Sequence, residues 1–114
     1  MNFDEVRPLA LALPGVDEGT SYGTPAFRVR GKFFARLRED GDSLVLKCNV
    51  YERKYLVEDL PEVFYVTDHY RDYPAVLVRL SAVSPALLRE RLEESWRAVA
   101  PRKLVAELDA RGAG

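Results

Sequence analysis

At 114 residues and 12.9 kDa the chain is sized for one domain, residues 1–114, and can bury enough surface to fold without a disulfide or a structural metal. Apolar residues make up 47% and charged residues 31%, a soluble composition with no run approaching a membrane span. Seventeen basic residues against eighteen acidic ones exclude a generally basic, DNA-coating protein.

Residues 2 to 13 read as a helix. Phe3, Val6, Leu9 (or Ala10) and Leu13 recur at helical spacing, and Asn2 is placed to cap them. Pro8 either kinks this helix or marks its true first turn, and Pro14-Gly15 ends it. The adjacent acids Asp17 and Glu18 then read as a solvated turn before the first strand.

The middle of the chain is β. Residues 24 to 30 alternate, with Phe27 and Val29 opposing Arg28 and Arg30. Residues 33 to 38 set Phe33, Ala35 and Leu37 against Phe34, Arg36 and Arg38. Leu44, Leu46 and Cys48 then oppose Val45 and Lys47. Asp40-Gly41 is a two-residue hairpin signal. It pairs Leu37 with Leu44, Arg36 with Val45 and Ala35 with Leu46, so each apolar set lands on one face. At Gly31, register consistency favours a three-residue loop, Arg30-Gly31-Lys32. That loop pairs Val29 with Phe33 and Phe27 with Ala35.

Asn49-Val50-Tyr51-Glu52 has capping-box spacing and starts a short helix to about Glu58, with Pro61 beyond its end. Residues 63 to 67 and 75 to 81 read as two more strands, joined by the polar loop 68–74. Ser84-Pro85 is an N-cap followed by a first-turn proline. Behind it Leu88, Leu92, Trp96 and Val99 form one stripe, broken at Pro101. Residues 102 to 110 add a last short helix with Leu104, Val105 and Leu108 turned inward, and Gly112-Ala113-Gly114 reads as a frayed tail. The sum is an α+β two-layer sandwich: an antiparallel β-sheet with helices packed on one face.

The other face then carries the chemistry. Residues 22 to 47 hold six basic and three acidic residues, a local net charge of +3 that leaves −4 for the remainder. Arg28, Arg30, Lys32, Phe34, Arg36, Arg38 and Lys47 would form a basic face. On it guanidinium groups fork onto phosphate and Phe34 stacks on a base. The competing account is a solvated sheet face whose arginine stems cover apolar surface. A second candidate is a ligand pocket in the loops, with Tyr22, Thr24, His69, Tyr70, Arg71 and Tyr73 as walls. An Asp68–His69–Tyr70 cluster there has acid–base potential, although such loops are more often held by bonds to their own backbone. A third candidate is a protein-interaction patch on Phe34 and Val45.

Catalytic and cofactor motifs are absent from the sequence. Gly15, Gly19 and Gly23 match no phosphate-binding loop, and no Gly-x-Ser-x-Gly elbow occurs. The lone Cys48 points into the expected core, where a thiol is inert. One histidine and one cysteine make a zinc site improbable, so neither metal nor cofactor is expected. A single cysteine and no recognisable signal peptide fit a cytoplasmic monomer without a membrane role.

Several segments resemble the MmcQ/YjbR family. They are Leu13-Pro14-Gly15-Val16, Ser21-Tyr22-Gly23-Thr24-Pro25-Ala26-Phe27, Gly31-Lys32-Phe33-Phe34-Ala35 and His69-Tyr70-Arg71-Asp72-Tyr73-Pro74. Val76-Leu77-Val78-Arg79-Leu80 and the late Trp96 fit as well, in the expected order. The resemblance implies a fold like the bacterial frataxin CyaY, agreeing with the independent reading. It also implies DNA binding through "double wing" hairpins, an implication that rests on structural analogy. Carried onto this chain, the wings are the hairpins around Gly31 and Asp40-Gly41, with Arg30, Lys32, Arg36 and Arg38 as their basic residues. The resemblance implies no catalytic residues. Frataxin's acidic iron surface has no counterpart, since the first helix offers only Asp4 and Glu5. The acidic tip Glu39-Asp40-Gly41-Asp42 suits phosphate poorly, which leaves the Gly31 wing as the better DNA contact.

Overall fold

The computed structural model describes residues 1–113. Its elements are α1 (Phe3–Leu11), β1 (Val16–Ser21), β2 (Thr24–Val29), β3 (Lys32–Leu37), β4 (Ser43–Lys47), α2 (Val50–Asp59), β5 (Phe64–Tyr65), a single 3-10 turn (Asp68–Tyr70), β6 (Ala75–Arg79), α3 (Pro85–Val99) and α4 (Arg102–Ala113). The strands form one antiparallel sheet in the order β1-β2-β3-β4-β6-β5. The helices pack on one side of it, which makes the fold the expected α+β two-layer sandwich.

Helix starts follow the capping residues. Asn2 caps α1 in a reciprocal box with Glu5, Asn49 accepts from the Tyr51 and Glu52 amides, and Ser84 accepts from Leu87 ahead of first-turn Pro85. Helix α1 runs through Pro8, whose exposed ring sits on the solvent side. The core gathers Val6 and Ala10 of α1, Leu88, Leu92 and Trp96 of α3 and Leu104 of α4 against Phe27, Val29, Leu44, Leu46, Val76 and Val78. Two side chains fix α3 over the sheet. The buried Trp96 indole N–H donates to the Pro14 carbonyl at 2.9 Å, and Ser95 Oγ donates to the Lys47 carbonyl at 2.7 Å.

The Asp40-Gly41 hairpin has the expected register, Leu37↔Leu44, Arg36↔Val45 and Ala35↔Leu46. The Gly31 hairpin differs at its tip. Phe27 pairs with Ala35 as expected, but Val29 pairs with Lys32 and Arg28 with Phe33. The loop is therefore the two-residue Arg30-Gly31, both at positive φ (51° and 79°), as a primed turn requires. The odd residue is absorbed by a β-bulge opposite Phe27/Arg28, where Phe34 has no partner. The bulge reverses the faces of two neighbours. Phe34 turns into the core, fully buried 6.5 Å from the Phe27 ring, while Phe33 faces the opposite side. Phe34 is thus unavailable to stack on a base or to form an interaction patch.

Three other expectations change. The Asp17-Glu18 region is not a turn but the polar edge strand β1, joined to β2 by the two-residue turn Tyr22-Gly23. The strand expected over 63–67 shortens to Phe64–Tyr65, and that over 75–81 to Ala75–Arg79. Of the expected frayed tail, Gly112 and Ala113 lie in α4, and Gly114 lies outside the described residues.

Candidate functional site

The strand registers align one row of residues across the face opposite the helices: Gly19, Ala26, Arg36, Val45, Leu77 and Tyr65. This face was expected to be open. Instead Ala26, Val45 and Leu77 are almost completely buried and Arg36 is only 8% exposed. Val45, Ala75 and Leu77 form a second, smaller apolar cluster flanked by Phe33, Tyr65 and Tyr70. The cover comes from the β1–β2 hairpin and from the 68–74 loop.

Arg53 of α2 holds that loop in place. Its Nη1 donates to the carbonyls of Tyr70, Tyr73 and Ala75 at 2.9–3.1 Å, and its Nη2 to that of Arg71 at 2.9 Å. One guanidinium thus gathers three carbonyls of the irregular 68–74 segment and the first carbonyl of β6, two of which (Tyr70 and Tyr73) also accept backbone N–H groups. The rings of His69, Tyr70 and Tyr73 then pack together, with centroids 4.8–6.4 Å apart.

Arg36 links the two walls. It donates to the Tyr70 hydroxyl, to Glu39 at 3.1 Å, to the Leu37 carbonyl at 3.3 Å and to Thr24 Oγ1 at 3.4 Å. Its guanidinium lies 5.6 Å from the Tyr22 ring centroid. Burial by itself would lower the affinity of Arg36 for its proton. The bonds to Tyr70 and Glu39 outweigh that and raise it. Glu39 is pulled below the usual carboxylate range by its own backbone N–H and by Arg36.

Between the walls lies a cleft of about 740 Å³. Its floor is Phe33, Val45 and Ala75, and its aromatic sides are Tyr22, His69, Tyr70 and Tyr73. Arg36, Arg38 and Lys47 reach it, with Glu39 as the one acidic lining residue. Arg38 also donates to the Tyr65 hydroxyl at 3.3 Å and lies 3.7 Å from Asp40. Lys47 is half-buried and forms no ion pair among the described residues.

The residues expected to form a basic face are therefore dispersed. Arg36, Arg38 and Lys47 line the cleft. Arg28 of β2 is held against the edge strand β1, paired in register with Asp17 and donating to the Thr20 carbonyl at 3.3 Å. Arg30 and Lys32 are exposed at the β2–β3 tip, and Phe34 is in the core. Of the residues expected around a pocket, Tyr22, His69, Tyr70 and Tyr73 converge. Thr24 takes part through Arg36, and Arg71 instead pairs with Asp68 outside the lining. Sequence reasoning missed Arg53, Phe33 and Glu39. The Tyr22 wall itself was expected from the sequence, as a loop rather than as the tip of a hairpin.

Cys48 is buried, and burial followed by the negative charge of Glu52 pushes its thiol up. Among the described residues no group of three or more His, Cys, Asp or Glu is arranged to hold a metal ion, and no helix is long and apolar enough to cross a membrane.

The six-stranded antiparallel sheet with one helical layer and a loop-walled cleft defines a two-layer α+β module. The same fold occurs in a crystal structure of Deinococcus radiodurans protein DR2400, described as a DUF419 domain. The TM-score is 0.74 and the identity 24%, over 90% of this chain and 80% of that one. The YjbR family model matches residues 11–98, so the chain belongs to the YjbR (MmcQ/YjbR) family. It is also 44% identical over 50 residues to uncharacterized protein Rv2570 of Mycobacterium tuberculosis and to uncharacterized protein Mb2600 of Mycobacterium bovis. The matched segment spans 44% of this chain and 39% of each of those relatives.

Proposed function

We propose that the chain is a binding module for a small organic anion, held in the cleft between the Tyr22 hairpin and the 68–74 loop. The observation that carries this reading is the convergence of Arg36, Arg38 and Lys47 on one concave site with Glu39 as the only lining acid. Arg36 is committed to Tyr70 and Glu39 and acts mainly as a fixed positive wall. Arg38 and Lys47 are freer to turn donors to a ligand. A phosphate or carboxylate there meets charge-assisted donors beside an apolar floor, where electrostatic attraction is less screened than in bulk water.

The second reading is the DNA-binding module that the family resemblance implies. The observation in its favour is the exposed pair Arg30 and Lys32 at the β2–β3 tip. Against it stand the dispersal of the other basic residues and the acidic β3–β4 tip. A surface tracking a duplex needs a continuous row of phosphate contacts, and its affinity falls steeply with salt.

One paired titration separates the two. Inorganic phosphate is followed by proton–nitrogen correlation spectra, and a labelled duplex by fluorescence anisotropy at low and physiological salt. The cleft reading expects saturable phosphate shifts at the Tyr22 hairpin and the 68–74 loop, weakened roughly tenfold by Lys47→Ala or Arg38→Ala. Duplex binding abolished by alanines at Arg30 and Lys32, with no cleft shifts from phosphate, would overturn it in favour of DNA.

A further inference from the structure

Resting on that reading, we infer that the anion the cleft takes is carried on a planar aromatic ring, as in a nucleoside monophosphate or an aromatic carboxylate. Two tyrosines at the cleft are left largely in water: Tyr22 is 86% exposed and Tyr73 58%. Each ring belongs to the lining of the same site. Tyr73 lies 6.2 Å from the His69 ring at an interplanar angle of 30°, so two roughly parallel rings already stand on the loop wall. Tyr22 stands on the facing hairpin. Its backbone is at φ 54°, a left-handed position where glycine, asparagine or aspartate is at ease and a bulky aromatic is not. A tyrosine held there with most of its ring in water has the Arg36 guanidinium as its contact within the fold. It gains a stacking partner once a ring enters.

The floor agrees with this assignment. Phe33, Val45 and Ala75 offer carbon surface rather than hydrogen-bond partners, which suits a ring lying flat. The β3 bulge is what puts Phe33 there in place of Phe34. The basic side chains Arg36, Arg38 and Lys47 come from β3, the residue just after it and β4, so ring and anion are recognised by different residues. Stacking of a ring on an aromatic side chain is worth roughly tenfold in affinity or more per partner. It tolerates different ring identities, so the site would select ring-plus-anion as a class.

The test compares matched pairs on the full chain. Adenosine monophosphate is set against ribose 5-phosphate, and benzoate against cyclohexanecarboxylate, each titrated by proton–nitrogen correlation spectra. The expected result is a roughly tenfold preference for the ring-bearing member of at least one pair. Ring-current shifts at the Tyr22 hairpin and the 68–74 loop should accompany it. The pair that shows the preference identifies whether phosphate or carboxylate supplies the anion. Tyr22→Leu combined with Tyr73→Leu should erase the preference, so that on this variant the ring-bearing member of the pair binds no tighter than its ring-free partner. Both side chains are largely exposed, so this variant is expected to fold, and its dispersed spectrum checks that. Equal affinities within both pairs would overturn the ring while leaving the anion cleft standing. No saturable shift from any of the four compounds up to about 10 mM would overturn both.

Discussion

Gly15 sits where α1 gives way to β1, at φ 70° and in contact distance of α4. A Cβ built there would lie 2.7 Å from Leu104 Cδ1 and 3.5 Å from Val29 Cγ2. Gly15→Ala therefore combines a left-handed backbone with a collision against a buried leucine. We expect it to lower unfolding stability by about 1–3 kcal/mol in urea titration. Gly31→Ala, with nothing near its added carbon, should show only the backbone part of that loss. At this scale the sequence was a mixed guide. It marked Pro14-Gly15 as a stop, but a stop signal carries no information about which distant side chain closes over it. Arg36 was legible as an arginine on the second face. Its burial was not, because Thr24, Glu39 and Tyr70 meet it only after three separate segments have folded.

Among the elements, the contrast between the two hairpins is instructive. Asp40-Gly41 and the alternation around it specified the register, because Leu37↔Leu44 and Ala35↔Leu46 placed apolar with apolar on the core face. The Gly31 hairpin satisfied the same criterion one layer further in, at Phe27↔Ala35, but the odd residue went into a bulge rather than the loop. Two consecutive phenylalanines hid this, since either one can serve as the core residue. Strand β1 was missed for a related reason. Its sequence Val-Asp-Glu-Gly-Thr-Ser has no apolar alternation, and its place comes from pairing with β2. The 68–74 loop depends on a neighbour to a greater degree. Arg53→Ala removes the donor shared by four carbonyls and should cost about 1–3 kcal/mol. It should also speed amide exchange at Tyr70, Arg71, Tyr73 and Ala75 well beyond that in the rest of the sheet. Arg53→Lys should recover only part of this, because one ammonium cannot span the same carbonyls.

Across the whole molecule the sheet separates two apolar clusters of unequal size. The larger one, under the helices, sets global stability, and Cys48 lies within it at 6% exposure. Its thiol should resist an aromatic disulfide reagent in the native protein and react only as the chain unfolds. Burial also makes the folded state keep a proton that the unfolded thiol gives up. Stability should therefore fall as pH rises past the ordinary thiol range of about 8.5. Urea midpoints measured on either side of that range should drop more for the native chain than for Cys48→Ala. The two-layer architecture and the helical core were readable in advance, because they follow from periodicity. The smaller cluster was not, since Val45, Ala75 and Leu77 are covered by Phe33, Tyr65 and Tyr70, which no single stretch of sequence brings together.

The ends of the sheet order have a consequence of their own. A strand with an unpaired outer side is a template on which another chain can crystallise its own backbone into a growing fibril. Here one margin is β1, which displays Asp17 and Glu18 and anchors Glu18 to Arg7 at 2.7 Å. The other is β5, only two residues long. A margin that carries the Asp17 carboxylate and a Glu18–Arg7 ion pair is a poor surface for its own copy, and a two-residue margin offers too short a ladder to hold one. The sheet is thereby shielded at both ends from edge-to-edge polymerisation.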